Sequence, residues 1–118
     1  MANRSFHRVQ SLAREAKHLY AKVDIGATGA PTLDVNASIG VESVTRDSAG
    51  VYTITLDDKY NSLLFCDVIQ LEATAEDLTF QIESEAVATD KTIQLQCKAA
   101  ATETDPSDGS ALLIKIEV

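Results

Sequence analysis

Apolar and polar residues alternate along most of the chain, in short runs broken by polar turns. Leu19, Ala21, Val23 and Ile25 alternate with His18, Tyr20, Lys22 and Asp24. A period of two places the first set on one face of a strand and the second on the other. The same pattern returns in Tyr52, Ile54 and Leu56, in Leu78, Phe80 and Ile82, in Ile93, Leu95, Cys97 and Ala99, and in Leu112, Ile114, Ile116 and Val118. Residues 39–56 predict the central hairpin. Two runs rich in β-branched residues flank the turn Asp47-Ser-Ala-Gly50, where Asp47 and Ser48 have side chains suited to bonding the turn backbone and Gly50 takes positive φ without strain. Gly26–Pro31 predicts a loop, residues 32–35 a short strand, and Thr102–Ser110 a loop dense in turn formers.

The run Tyr60–Ala73 differs, because it is apolar in both phases. Leu63, Phe65, Ile69, Leu71 and Ala73 share one phase, interrupted by Asp67, and Leu64, Cys66 and Val68 occupy the other. Such a strand is either central or buried at a second surface. An interface between subunits would explain the second apolar phase, which makes Leu64, Cys66 and Val68 candidates for it. Together these runs predict an all-β chain, an antiparallel β-sandwich or jelly roll of seven or eight strands, over residues 18–118.

Residues 1–17 break the pattern. Phe6, Val9, Leu12 and Ala16 recur at helical spacing behind Ser5, a possible N-cap, so the segment reads as a terminal arm or a short helix. It is too short to hold a helix alone in water and needs a surface to pack on.

Charge sharpens this division. Residues 1–22 carry Arg4, Arg8, Arg14, Lys17 and Lys22 against Glu15, a balance of +4; the other residues carry a balance of −12. A basic head on an acidic body suits docking on an acidic surface, with Arg the better residue for fixed contacts. The net charge of −8 argues against a dedicated nucleic-acid binder. No apolar run approaches the roughly 18 residues of a membrane span, and no signal peptide is visible. With 118 residues the chain suffices for one core, and the absence of Trp leaves Val, Ile, Leu and Ala to build it.

Candidate chemistry is sparse. Cys66 and Cys97 sit in apolar runs and read as free, buried thiols. No Cys/His cluster has zinc spacing, and no metal or cofactor is expected. The two histidines, His7 and His18, lie at the basic end, away from any candidate Ser or Cys nucleophile in the body. Carboxylate pairs such as Asp57-Asp58 and Glu76-Asp77 fall in turns, where they are solvated. The Asp105-Pro-Ser-Asp108-Gly run has oxygen donors but lacks the spacing and closing Glu of an EF-hand, so it reads as a turn. No catalytic residues are assigned.

Three stretches carry a resemblance: Gly26-Ala-Thr-Gly-Ala-Pro-Thr-Leu-Asp34, the hairpin Gly40–Leu56, and Thr104-Asp-Pro-Ser-Asp-Gly-Ser-Ala-Leu-Leu-Ile-Lys-Ile116. They resemble small structural proteins of tailed bacteriophages, several of which are head decoration, or cement, proteins. The Gly50-Val-Tyr52-Thr-Ile54 turn and strand is also similar to the jelly-roll heads of C1q- and TNF-like trimers, without their aromatic-rich core. The phage resemblance implies a non-enzymatic virion protein, made in the host cytoplasm, that binds the major capsid protein as a homotrimer and stabilises the head shell. It makes Arg4, Phe6, Arg8, Val9, Leu12, Arg14 and Lys17 the expected shell contacts. The other expectation is a receptor- or carbohydrate-binding module of a phage tail or fibre, which would use exposed aromatics; Tyr20, Tyr52 and Tyr60 are its candidates.

Overall fold

The structure, a computed structural model, describes residues 16–118. These residues form two antiparallel sheets packed face to face. The first has the order β2-β1-β9-β5 and the second β3-β4-β7-β6, with a short β8 beside the end of β7. The strands are β1 His18–Ile25, β2 Pro31–Leu33, β3 Val41–Ser48, β4 Val51–Leu56, β5 Phe65–Leu71, β6 Thr79–Ala86, β7 Thr92–Ala99, β8 Thr102–Glu103 and β9 Ala111–Glu117. Every pairing is antiparallel. The chain crosses between sheets four times: β2 to β3, β4 to β5, β5 to β6, and β8 to β9.

The alternation sorts side chains as expected on the strands with two neighbours. Leu19, Val23, Ile114 and Ile116 from the first sheet meet Tyr52, Ile54, Ile93 and Leu95 from the second, all buried. Burying each such side chain contributes about 1.5–3 kcal/mol. Ile54, Ile93 and Ile116 have no exposed surface at all, and they mark the centre of the core.

The central hairpin is tighter than expected. Pairing runs on to Ser48 opposite Val51, with a register shift between Arg46 and Ser48, so the turn shrinks to Ala49-Gly50. Gly50 does take positive φ, +72°. Asp47 does not serve the turn backbone; its carboxylate accepts from the Thr53 hydroxyl across the strand pair.

The apolar run after the hairpin is longer than its strand. Only Phe65–Leu71 is β5, while residues 57–64 carry the chain from one sheet to the other. Tyr60 and Leu63 pack on the core from this crossing, which is why the run is apolar beyond the strand. Val87 closes the same end, fully buried in a turn, where its carbonyl accepts from the Tyr60 N–H, 3.0 Å.

Nine strands stand among the described residues. Thr102–Glu103 pairs with Lys98 and Ala99 inside what the sequence shows only as a turn-rich loop. The proposed arm falls on residues 1–17; all but its last two residues lie outside the described residues.

Candidate functional site

The outward faces of the two sheets differ in kind. On the second sheet, β4 presents Thr53 and Thr55, β7 presents Gln94 and Gln96, and β6 presents Thr79 and Gln81. Such a surface is satisfied by water. On the first sheet, the outward positions include Tyr20, Phe65, Ile69, Leu71 and Leu113, set among the charged Lys22, Asp24, Asp67, Lys115 and Glu117 and joined at the margin by Ile39, which bridges to Tyr20. Ile69 is 60 % exposed and Leu113, its register partner, 40 %. Exposed apolar residues gathered on one side only, here with Lys22, Asp67 and Lys115 set among them, are the signature of a surface that another molecule covers.

The register orders this face in rows. Tyr20, Lys115 and Asp67 lie side by side across β1, β9 and β5, and the next row is Lys22, Leu113 and Ile69. A hollow of about 490 Å³ opens over these two rows, lined by Tyr20, Ile39, Ile69 and Leu113, with Lys22, Lys115 and Asp67 as its charges.

The expected interface residues Leu64, Cys66 and Val68 are not part of this face. Cys66 and Val68 turn inward and pack against the core, and Leu64 lies exposed before the strand begins. The outward phase of β5 is Phe65, Ile69 and Leu71, so the exposed apolar face belongs to the phase opposite the one chosen from the sequence. A strand apolar in both phases does not reveal which one meets its own core.

β5 and β6 are also the free edges of their two sheets on the same side of the sandwich. A seam opens between them. Their inward residues Cys66, Val68, Phe80 and Ile82 are only partly buried, whereas those of β4 and β7 are fully buried. The seam's two hollows are lined by these residues with Leu78 and the 72–76 turn; their charged members are Asp67, Glu72 and Glu76, with no Lys or Arg among them. Glu76 accepts hydrogen bonds from Ser107 and Gln70, which hold its pKa below the usual carboxylate range.

The two cysteines are free thiols. Burial pushes both up to about 11, with neighbouring carboxylates adding to the effect. A thiol so protonated at neutral pH is a poor nucleophile. In native protein iodoacetamide is expected to label Cys66 slowly and Cys97 not at all, while both react at once in denaturant. Mass spectrometry of the labelled chain reads the difference.

A third cluster ties loops together. The Asp105 carboxylate takes a two-pronged pair from Arg46, Nε at 3.0 Å and the terminal nitrogen at 2.8 Å. Its Oδ1 also accepts from the Gly50 N–H at 2.8 Å and lies 3.2 Å from the Tyr52 hydroxyl. That hydroxyl sits 2.9 Å from the Gly29 carbonyl. Burial opposes ionisation of Asp105, but the Arg46 and Gly50 hydrogen bonds outweigh it and hold its pKa below the usual range. Burial, together with the adjacent carboxylate, raises the Tyr52 hydroxyl. All of Asp105's oxygens are engaged by the chain itself, so the cluster is a clamp on the Gly29, Gly50 and Asp105 turns. The Asp105-Pro-Ser-Asp108-Gly run, expected as a turn, thus also acts as a fastening. Sequence reasoning missed it, because Asp105 lies more than fifty positions from Arg46, Gly50 and Tyr52.

Of the expected shell contacts, Arg4, Phe6, Arg8, Val9, Leu12 and Arg14 lie outside the described residues. Lys17 exchanges both backbone hydrogen bonds with Val118, and its ammonium lies 5.8 Å from the Tyr60 ring centroid. His18 sits on the outward face opposite Glu117. Among the described residues no three His, Cys, Asp or Glu side chains converge as a metal site. No protein-family model, curated protein or solved structure matches the chain.

Proposed function

We propose that this protein is a non-enzymatic structural component of a phage virion, a head decoration protein that binds the shell of major capsid protein as a homotrimer. The observation that carries an assembly role is the contrast between the two outward faces: Thr and Gln on one sheet, and Tyr20, Ile69 and Leu113 on the other. A lone domain gains nothing from leaving Ile69 in water, whereas an assembling one recovers it on association. The assignment to a virion rests on the resemblance of the Gly26–Asp34, Gly40–Leu56 and Thr104–Ile116 stretches. Repetition over a lattice would turn modest contacts into strong attachment, since linked sites multiply their affinities.

In this reading the basic head contacts the shell through Arg4, Arg8 and Arg14, and the described sandwich supplies contacts between copies. The test is co-sedimentation with expanded heads that lack the protein. Wild-type chain is expected to pellet with them. A chain lacking residues 1–15 is expected to stay in the supernatant, with its melting temperature unchanged. Lys17 is kept because its backbone pairs with Val118. Undiminished pelleting of the shortened chain removes the head from the contact, and failure of the full chain to pellet removes the decoration role.

A further inference from the structure

The molecule exposes two surfaces of different character, one apolar and one mixed, and β5 is the corner between them. One is the outward face around Ile69 and Leu113, whose hollow carries two lysines, Lys22 and Lys115, against Asp67. The other is the seam between β5 and β6, lined by Cys66, Val68, Leu78 and Phe80, whose charges are all carboxylates: Asp67, Glu72 and Glu76. The seam does not match itself. A seam set against its own copy leaves carboxylates facing carboxylates, whereas the face, with Lys22 and Lys115 beside Asp67, brings cations that such a seam can meet. Like charges so placed disfavour the seam's pairing with itself.

Set against each other, the two surfaces complement one another in charge. We propose that the outward face of β1, β9 and β5 in one copy packs over the β5–β6 seam of the next, with Lys22 and Lys115 toward Glu72 and Glu76. The occupant of each surface is a second copy of this chain. A contact between two different patches is head-to-tail, and it either closes into a ring or grows into a filament. Closure at three copies rests on the homotrimer reading above. The arrangement accounts for two features left over by the isolated sandwich. The neighbour covers the half-buried Cys66, Val68 and Phe80, and it also shields the free edge of β5, which otherwise stands open to uncontrolled pairing.

The test uses two full-length variants with changes at exposed positions. Leu113→Asp spoils the face and keeps the seam. Ala75→Lys, on the 72–76 turn that lines the seam, spoils the seam and keeps the face. Equal melting temperatures establish that both fold. Each alone is expected to lose the trimer in light scattering, with mass falling from near three times 12.7 kDa to near 12.7 kDa. Mixed in equal amounts, they retain one good face and one good seam between them. The mixture is therefore expected to form a pair near twice 12.7 kDa and nothing larger.

A mixture that stays monomeric, or an Ala75→Lys chain that remains trimeric, overturns the head-to-tail arrangement. So does a wild-type mass that grows without limit, or one that never exceeds a monomer. Shell co-sedimentation separates these failures from failure of the decoration role: a trimer whose mixture fails to pair, yet pellets with heads, loses only the arrangement.

Discussion

Replacing Asp105 by Ala is expected to lower stability by about 2–3 kcal/mol. The loss has two sources. The Arg46 pair disappears, which at a solvent-screened site is the smaller part. The Gly50 N–H, whose hydrogen bond to Asp105 is partly buried, loses its acceptor, and an unsatisfied donor of this kind costs about 1–3 kcal/mol. The Tyr52 hydroxyl keeps the Gly29 carbonyl. Urea unfolding at neutral pH measures the difference. The clamp also predicts an acid limb. The folded pKa of Asp105 is depressed, so its contribution is fully present above the unfolded carboxylate value. It is lost as pH falls from that value through the folded one. In Asp105→Asn this part of the acid limb should flatten. An Asp105→Asn stability curve parallel to wild type below the carboxylate range and through it would exclude Asp105 as its source.

Gly50→Ala is expected to cost more, about 3 kcal/mol or above. Gly50 holds φ at +72°, and an added Cβ would lie 2.4 Å from the Cys97 carbonyl oxygen and 2.7 Å from the Thr104 nitrogen. Both are backbone atoms in the β4–β7–β8 arrangement. Neither moves without breaking the Cys97–Gly50 and Thr104–Cys97 hydrogen bonds. Gly109 supplies the control. It also has positive φ, +91°, but a Cβ there meets nothing within 4 Å. Gly109→Ala therefore carries only the left-handed backbone cost, about 1 kcal/mol. Thermal or urea unfolding of both variants separates the collision from the backbone strain. Equal losses would refute the collision.

The fold is largely legible in the alternation, because strands with a neighbour on each side must bury one phase. Leu19 to Ile25 and Leu112 to Val118 are placed by the alternation alone, and the structure buries the expected sets. Legibility fails where a segment does something other than line a sheet. Tyr60 and Leu63 are apolar because they cap the sandwich from a crossing, and Val87 because it plugs a turn. β5 is the instructive case: both its phases are apolar, so only the neighbouring sheet decides that Cys66 and Val68 face in and Ile69 and Leu71 face out. The Arg46–Tyr52–Asp105 clamp was invisible for another reason. Nothing local in Asp105-Pro-Ser-Asp108-Gly distinguishes an aspartate that serves its own turn from one that reaches a distant hairpin.

The central claim is that the outward face of the first sheet is an assembly surface. Light scattering of wild-type chain and of Ile69→Asp, over a hundredfold range of concentration, tests it most directly. Ile69 is 60 % exposed, so an aspartate there leaves the core intact. The account predicts a wild-type mass near three times 12.7 kDa and an Ile69→Asp mass near 12.7 kDa, with equal melting of the dilute monomers. A wild-type chain that is monomeric throughout, or an Ile69→Asp chain with wild-type mass, contradicts it.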